Sequence, residues 1–356
     1  MLDLAHATAL FHRGRFDQAE DILAQPGLID RFESRLLRTR IEWQRGFPEL
    51  ALALIDQLLN DYPASAEAYR TKVSWLIEIE QPGTARRESL QRRLRFPEQA
   101  QPRIDLLYAF DRTGDDDAIQ EELDSIYRDF AENQQVLLQV GDFAANTGRP
   151  DTANALLQYL RARDFPLEAA TLMTVEALIV AGEYQAGLEL AQDTLEENPQ
   201  WESNLAPIFH GLQAISYFAL GDREEASLFL DNYLSLPSIR PENQIAVAER
   251  LISVGAGREA RRVLQHAVSK DELNQAALTR LIEFDLEALD APDLPANLSK
   301  ILSMRRPPTK LLRDAYDRLG QDRFYFVDQR SELLDRLLSI LQGNPLEPSS
   351  LEATAG

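Results

Sequence analysis

A pattern of apolar, small and turn-forming positions restarts along this chain about every 34 residues. Each restart is marked by one turn position, and successive turn positions lie 32 to 39 residues apart. These positions hold Gly14, Gly46, Glu80, Gly114, Gly148, Gly182, Gly221 and Gly255. A nearly constant period of this length is typical of one supersecondary unit repeated end to end. We therefore expect each unit to pack mainly on its neighbours.

Small or apolar residues flank every turn position at fixed distances, which indicates a pair of packed helices. Five residues after the turn come Ala19, Ala51, Ala85, Ile119, Ala153, Gly187, Ala226 and Ala260. Seven residues before it come Ala7, Thr39, Val73, Leu107, Gly141, Val175, Ala214 and Ala248. Helices whose axes are about 8–10 Å apart need small side chains where they cross. The pattern therefore predicts antiparallel helical hairpins, each joined by a tight, left-handed turn.

Together these positions resemble the tetratricopeptide repeat (TPR), a helix–turn–helix unit of about 34 residues. The resemblance is carried by Gly141, Gly148, Ala153, Phe16, Ala19, Tyr184, Pro63 and Pro199. It extends over roughly residues 1–290, although the family's tryptophan in the first helix is missing and Glu80 replaces a turn glycine. The resemblance implies an all-α, right-handed solenoid of about eight to nine helical hairpins with a helical C-terminal cap.

The repeat pattern divides the chain into three segments. Residues 1–290 carry the repeats, residues 291–343 keep helical periodicity without them, and residues 344–356 are expected to be a disordered tail. Because a repeat array needs an atypical end that shields its last hydrophobic face, we interpret residues 291–343 as that cap. Five extra residues follow Pro199, and such insertions form loops or lengthened helices on one edge of an array.

Charge narrows the classes of partner. The chain has 356 residues, of which 58 are acidic and 37 basic, and its net charge is −21. This balance disfavours nucleic acids and anionic membranes and favours basic partners. With no cysteine, the chain has no disulfide or thiolate chemistry. The absence of a long apolar run and the acidic start predict a cytoplasmic protein, with the periplasm open if a leader has been removed.

Motifs that would carry chemistry all have structural explanations. Residues 255–260 match the dinucleotide fingerprint G-x-G-x-x-A, but that motif follows a strand, whereas this copy follows a helical segment at a turn position. The acidic run 115–117 lacks the alternating ligand spacing of a calcium loop and indicates the start of a helix. The four histidines form no metal-ligand motif. We therefore predict no catalytic residues, no metal and no cofactor, so that the chain is not an enzyme.

The resemblance implies that the first helix of each hairpin lines a concave groove. The groove residues predicted to bind a partner are Arg40, Trp43, Arg70, Tyr108, Asp142, Glu176, Glu249 and Glu283. These residues make the groove mixed or basic toward the N-terminus and acidic toward the C-terminus, which suits a basic or helical peptide. The alternative is that the acidic residues only solvate this face. Near the insertion, we expect Trp201 and Phe209 to form an exposed aromatic contact at one edge of the array. The alternative is that Trp201 fills the gap that the insertion makes.

These patterns favour a non-catalytic scaffold or adaptor that binds a protein or peptide in its groove. The strong preference for arginine over lysine among the basic residues suggests a GC-rich genome. We expect the chain to belong to a bacterial multiprotein assembly. Two alternatives stay open. The chain is a self-associating structural subunit, which would make it a homo-oligomer, or it is a regulatory subunit of an enzyme on another chain.

Overall fold

The computed structural model describes residues 2–237, 239–288, 292–321 and 326–341. Over these residues the chain forms twenty α-helices, one short 3-10 turn (Pro199–Trp201) and no strand. The helices are α1 Leu2–His12, α2 Phe16–Leu23, α3 Phe32–Gln44, α4 Pro48–Asp61, α5 Ala66–Glu78, α6 Pro82–Arg95, α7 Gln101–Thr113, α8 Asp116–Asp129, α9 Gln134–Thr147, α10 Pro150–Arg161, α11 Glu168–Val180, α12 Tyr184–Glu197, α13 Glu202–Leu220, α14 Arg223–Leu234, α15 Pro241–Ser253, α16 Gly257–Lys270, α17 Gln275–Ala288, α18 Leu294–Ser303, α19 Thr309–Leu319 and α20 Val327–Leu341.

The turn positions lie between the two helices of successive hairpins, as the sequence predicts. All eight have a positive φ, between 60° and 87°, and Glu80 takes this left-handed conformation although it is not a glycine. Gly255 belongs to this set and joins two helices, which confirms that residues 255–260 form a hairpin turn. The acidic run also starts a helix as predicted, because the Asp115 carboxylate accepts a hydrogen bond from the Ala118 amide at 3.2 Å.

The residues that flank the turns form the helix crossings. All sixteen positions, five after and seven before each turn, are buried. In the hairpin formed by α9 and α10, Ala144 and Ala153 meet Ala177 of α11. A Cβ atom on Gly141 would lie 2.4 Å from the Met173 sulfur, so a side chain at this crossing would displace its neighbour. Small residues thus allow these helices to approach closely, as predicted from their spacing.

The chain divides into two compact units. Unit 2 is Leu59–Pro237. In it the first helices of successive hairpins, α5, α7, α9, α11 and α13, pack side by side in chain order. Each second helix packs against the first helix of the next hairpin, as α6 does on α7 and α10 on α11. The first helices therefore bring residues of consecutive hairpins onto one face of unit 2.

Unit 1 combines Met1–Leu58 with Ser238–Gly356. Within this unit the first hairpin contacts residues near the other end of the chain: the Gln275 amide donates to the Gly14 carbonyl at 3.0 Å, and Arg15 forms an ion pair with Asp271 at 2.9 Å. Helices α17, α18, α19 and α20 pack on one another in the same unit. The sequence pattern did not predict that the first and last repeats would meet.

The five extra residues lengthen a helix. Helix α13 has 19 residues, compared with 13 in α11, and it contains Pro207. The predicted tail at residues 344–356 and the predicted boundary at residues 290 and 291 lie outside the described residues. The division into array, cap and tail therefore stays a prediction.

Candidate functional site

Polar side chains from three successive hairpins share one face of unit 2. Arg70 lies on α5, Tyr108 on α7 and Asp142 on α9. The positive charge of Arg70 lowers the pKa of both Tyr108 and Asp142, although burial raises each pKa more strongly. Three of the residues predicted to line a groove thus lie within electrostatic range of one another. We call the surface they form the first-helix face of unit 2.

Tyr108 holds a fixed position on this face. The edge of its ring packs against the ring of Phe143, with ring centroids 5.2 Å apart and ring planes at 88°. Its hydroxyl accepts a hydrogen bond from the Asn146 side-chain amide at 3.3 Å. Both contacts come from α9, so the tyrosine bridges two neighbouring hairpins. A ring held in this way loses little freedom when a partner packs on it.

Asp105 lies on α7, close to the first-helix face, and the sequence reasoning missed it. Its carboxylate is almost completely buried and accepts a hydrogen bond from the Gln101 amide at 2.7 Å. Its second oxygen has no hydrogen-bond partner among the described residues. Burial raises the pKa of Asp105 to about 7, and Arg70 and Arg92 lower that pKa only in part. The charge next to this face therefore changes near neutral pH.

Five further residues were predicted to line the groove. Glu176 is on α11 in unit 2, whereas Arg40, Trp43, Glu249 and Glu283 belong to unit 1. Arg280 donates to Glu249 at 2.8 Å and lies 3.4 Å from Glu283. Because this arginine offsets the two carboxylates, the C-terminal residues of the predicted groove are less acidic than their own charges suggest. The pair of Arg280 and Glu283 could have been predicted from the sequence, because the two residues lie three positions apart on one helix.

Phe209 does not form the predicted exposed contact at the edge. Its side chain is fully buried, because the insertion lengthens α13 and places this residue on the inward side of that helix. Trp201 lies in the 3-10 turn and is half-buried. A shallow depression of about 440 Å³ lies nearby, lined by Pro199, Glu202, Ser203, Ala206, Pro207 and His210. Burial lowers the pKa of His210.

The hairpins of both units have left-handed turns at the predicted positions and small residues at their crossings. The chain is an all-α repeat protein whose hairpins resemble the tetratricopeptide repeat. No family model matches it, and no curated protein does. Solved structures similar to it include a tetratricopeptide repeat protein from Parabacteroides merdae, with 12% identity, a TM-score of 0.39, and 69% of this chain and 98% of that chain covered.

Two further solved structures similar to this chain come from larger assemblies. The Cut9–Hcn1 hetero-tetramer of the APC/C has 15% identity and a TM-score of 0.41, with 92% of this chain and 60% of that chain covered. The human IFIT1 dimer with PPP-AAAA has 14% identity and a TM-score of 0.36, with 94% of this chain and 81% of that chain covered. The likeness concerns helical repeats alone.

In the described part of the chain, no group of three or more histidine, aspartate or glutamate side chains is placed so that it could hold a metal ion. No helix in the same residues is both long and apolar enough to cross a bilayer.

Proposed function

We propose that this TPR-like chain is a non-catalytic scaffold that binds a protein or peptide on the first-helix face of unit 2. The observation that carries the proposal is the convergence of Arg70, Tyr108 and Asp142 from three consecutive hairpins. A scaffold needs several recognition groups held on rigid elements, and helices position them better than loops do. Here each group lies on a different helix of one packed layer.

The chemistry of these groups defines the partner. Arg70 can donate several hydrogen bonds to a carboxylate or to backbone carbonyls, and Asp142 can accept them from a lysine or arginine. Tyr108 offers a rigid ring with a polar end, which is a common anchor in protein interfaces. The partner we propose is a peptide segment that carries an acidic group beside a basic group. The groove residues of unit 1, Arg40, Trp43, Glu249 and Glu283, stay a prediction.

The test exchanges charges on the first-helix face without altering the net charge. The double variant Arg70→Glu/Asp142→Lys reverses both groups, and Arg161→Glu/Asp117→Lys makes the same exchange at exposed positions on the second helices α10 and α8. Partners retained from the native host by each protein are quantified by mass spectrometry. We expect the first variant to lose a partner by about tenfold or more while the control retains it.

Melting temperatures of the three proteins establish that each variant is folded. Equal retention of every partner by the wild type and the Arg70→Glu/Asp142→Lys variant would contradict binding on this face. An enzyme among the partners that depend on the face would instead favour the alternative of a regulatory subunit. The bacterial assembly and its place in the cytoplasm are part of the same proposal, and the identity of the captured partners tests both.

A further inference from the structure

Helix α6 carries a basic surface on an otherwise acidic protein. Its residues, Pro82–Arg95, include five arginines and one glutamate. The glutamate, Glu88, faces α5, where it forms an ion pair with Lys72 at 2.9 Å. The side of α6 that is turned to solvent presents Arg87, Gln91, Leu94 and Arg95, which we call the basic face.

The arginines of the basic face are available to a partner. Among the described residues, neither Arg87 nor Arg95 has a carboxylate partner: Arg87 donates to Thr84, and Arg95 lies over the ring of Phe96. Arg86 and Arg93, by contrast, pair with Asp115 and Glu122 of the next hairpin. Leu94 is 81% exposed and lies directly beside Arg95. An exposed leucine flanked by unpaired arginines suits an acidic surface that carries an apolar side chain of its own.

Helix α14 presents that complementary surface. Its exposed side carries Glu224 and Glu225 in the first turn and Leu228 one turn later, and we call these three residues the acidic face. Leu228 is 53% exposed. Neither glutamate side chain has an ion-pair partner in the described residues, and Arg223 is the one basic residue of the helix. Both α6 and α14 are second helices of hairpins in unit 2, packed on other helices.

We propose that the basic face of one copy of this chain docks on the acidic face of a second copy. Leu94 would pack on Leu228, with the two arginines paired to the two glutamates around that contact. A chain with a net charge of −21 repels its own copies at long range. A basic face can therefore bind another copy only through short-range ion pairs and apolar contact. At about 0.1 M salt the Debye length is about 10 Å, which screens the long-range repulsion but leaves close pairs effective.

The proposed contact between copies lies on α6 and α14, away from the first-helix face, and it leads to self-association instead of partner binding. Because the two faces are different surfaces and each copy has both, the contact is heterologous, and its repetition gives closed rings or an open series of oligomers. One helix side against another buries less surface than a standard interface, so the association should be weak and dependent on concentration.

Two variants that each destroy one face give the decisive experiment. In Arg87→Glu/Arg95→Glu the basic face becomes acidic, and in Glu224→Lys/Glu225→Lys the acidic face becomes basic. Sedimentation velocity at up to about 500 μM, in about 0.1 M salt, should show oligomers for the wild type and monomers for each variant alone. A mixture of equal amounts of the two variants should associate again, because the acidic faces of the first variant complement the basic faces of the second.

The control Arg112→Glu/Arg161→Glu makes the same change in net charge as the first variant, at exposed positions outside both faces, and should associate like the wild type. The chain has no cysteine, so Leu94→Cys in one copy and Leu228→Cys in another provide a specific crosslink, with Gln185→Cys as the exposed control for either site. A wild-type protein that stays monomeric over the whole range, or variants that associate like the wild type, would overturn the proposal. Either result leaves partner binding at the first-helix face untouched.

Discussion

Glu80 shows, at the scale of one residue, how a repeat position imposes a conformation on the side chain that occupies it. Its φ is 60°, and its amide donates to the Ile77 carbonyl at 3.0 Å, as Gly114 does to Asp111 at 3.1 Å in the next hairpin. A residue with a Cβ atom pays about 1–2 kcal/mol for the left-handed conformation. The helices on either side hold Glu80 there because their packing requires a tight turn.

We predict that Glu80→Gly stabilises the protein by roughly 0.5–1 kcal/mol, because relief of the backbone strain outweighs the greater freedom of glycine in the unfolded chain. Urea unfolding measures the change. The matched control is Glu80→Ala, which also removes the carboxylate but keeps the Cβ atom, and which should bring no gain. Equal stability of the glycine and alanine variants would show that strain at this turn is not what the substitution relieves.

A second residue, Asp105, links stability to pH. The unfolded pKa of an aspartate is about 3.9, and burial raises the pKa of Asp105 in the folded protein to about 7. Between these values the folded state binds the extra proton. The contribution of Asp105 to stability is therefore present below about pH 4 and is lost as the pH rises through about 7.

We predict that Asp105→Asn, which resembles the protonated form, gains roughly 2–4 kcal/mol relative to the wild type between about pH 5 and pH 8. Denaturant unfolding at a series of pH values measures the difference between the two proteins. The exposed Asp117→Asn, which is the same substitution at a position that is not buried, provides the control. Parallel pH profiles for Asp105→Asn and the wild type would refute a titration of Asp105 in this range.

At the scale of the element, the hairpins could be predicted because every signal for them is local. A turn residue, a small residue five positions later and another seven positions earlier all lie within one hairpin, so their spacing fixes the crossing. The contact of Ala144, Ala153 and Ala177 extends this to the next hairpin, which the constant period also supplies. The insertion was located but its form was left open, since either a loop or a longer helix satisfies the same spacing.

The candidate site was predicted only in part, for a related reason. Reading one position per repeat found Tyr108 and Asp142, and Arg70 was predicted as a basic residue near that position. The packing of α5, α7 and α9 does bring the three together. The same reading could not find Asp105, because a carboxylate at a buried helical position has no distinguishing local pattern. Arg45 was missed in the same way: it is fully buried and pairs with Asp17 at 2.6 Å and Glu20 at 2.8 Å. Asp17 and Glu20 belong to a different hairpin, so no spacing in the sequence connects them to Arg45, although its third partner, Glu42 at 3.6 Å, lies three residues before it.

At the scale of the whole molecule, the contacts that no local pattern predicts are those within unit 1 between the two ends of the chain. Arg305 donates to Asp21 at 2.8 Å, and Arg306 binds Glu42 through two hydrogen bonds of 2.7 and 2.9 Å. Arg336 fixes that segment by donating to the Met304 and Arg305 carbonyls at 2.7 and 2.9 Å. Arginine–carboxylate contacts thus add to the backbone and apolar contacts that α17 makes with the first hairpin.

The pair of Arg15 and Asp271 allows the strength of this connection to be measured. Both side chains are partly shielded from solvent, and the guanidinium donates to the two carboxylate oxygens at 2.9 Å each. A double-mutant cycle with Arg15→Ala, Asp271→Ala and the combined variant should give a coupling free energy of about 1–2 kcal/mol.

Native-state hydrogen exchange of the amides in α1 and α2 provides the readout, because it reports local opening of the first hairpin. Arg313→Ala, at an exposed position on α19, should leave these amides unchanged. Additive effects of the two substitutions would mean that the hairpin is held by its backbone contact at Gly14 and by the packing of Ala276 on its apolar cluster, and that the ion pair contributes nothing to that attachment.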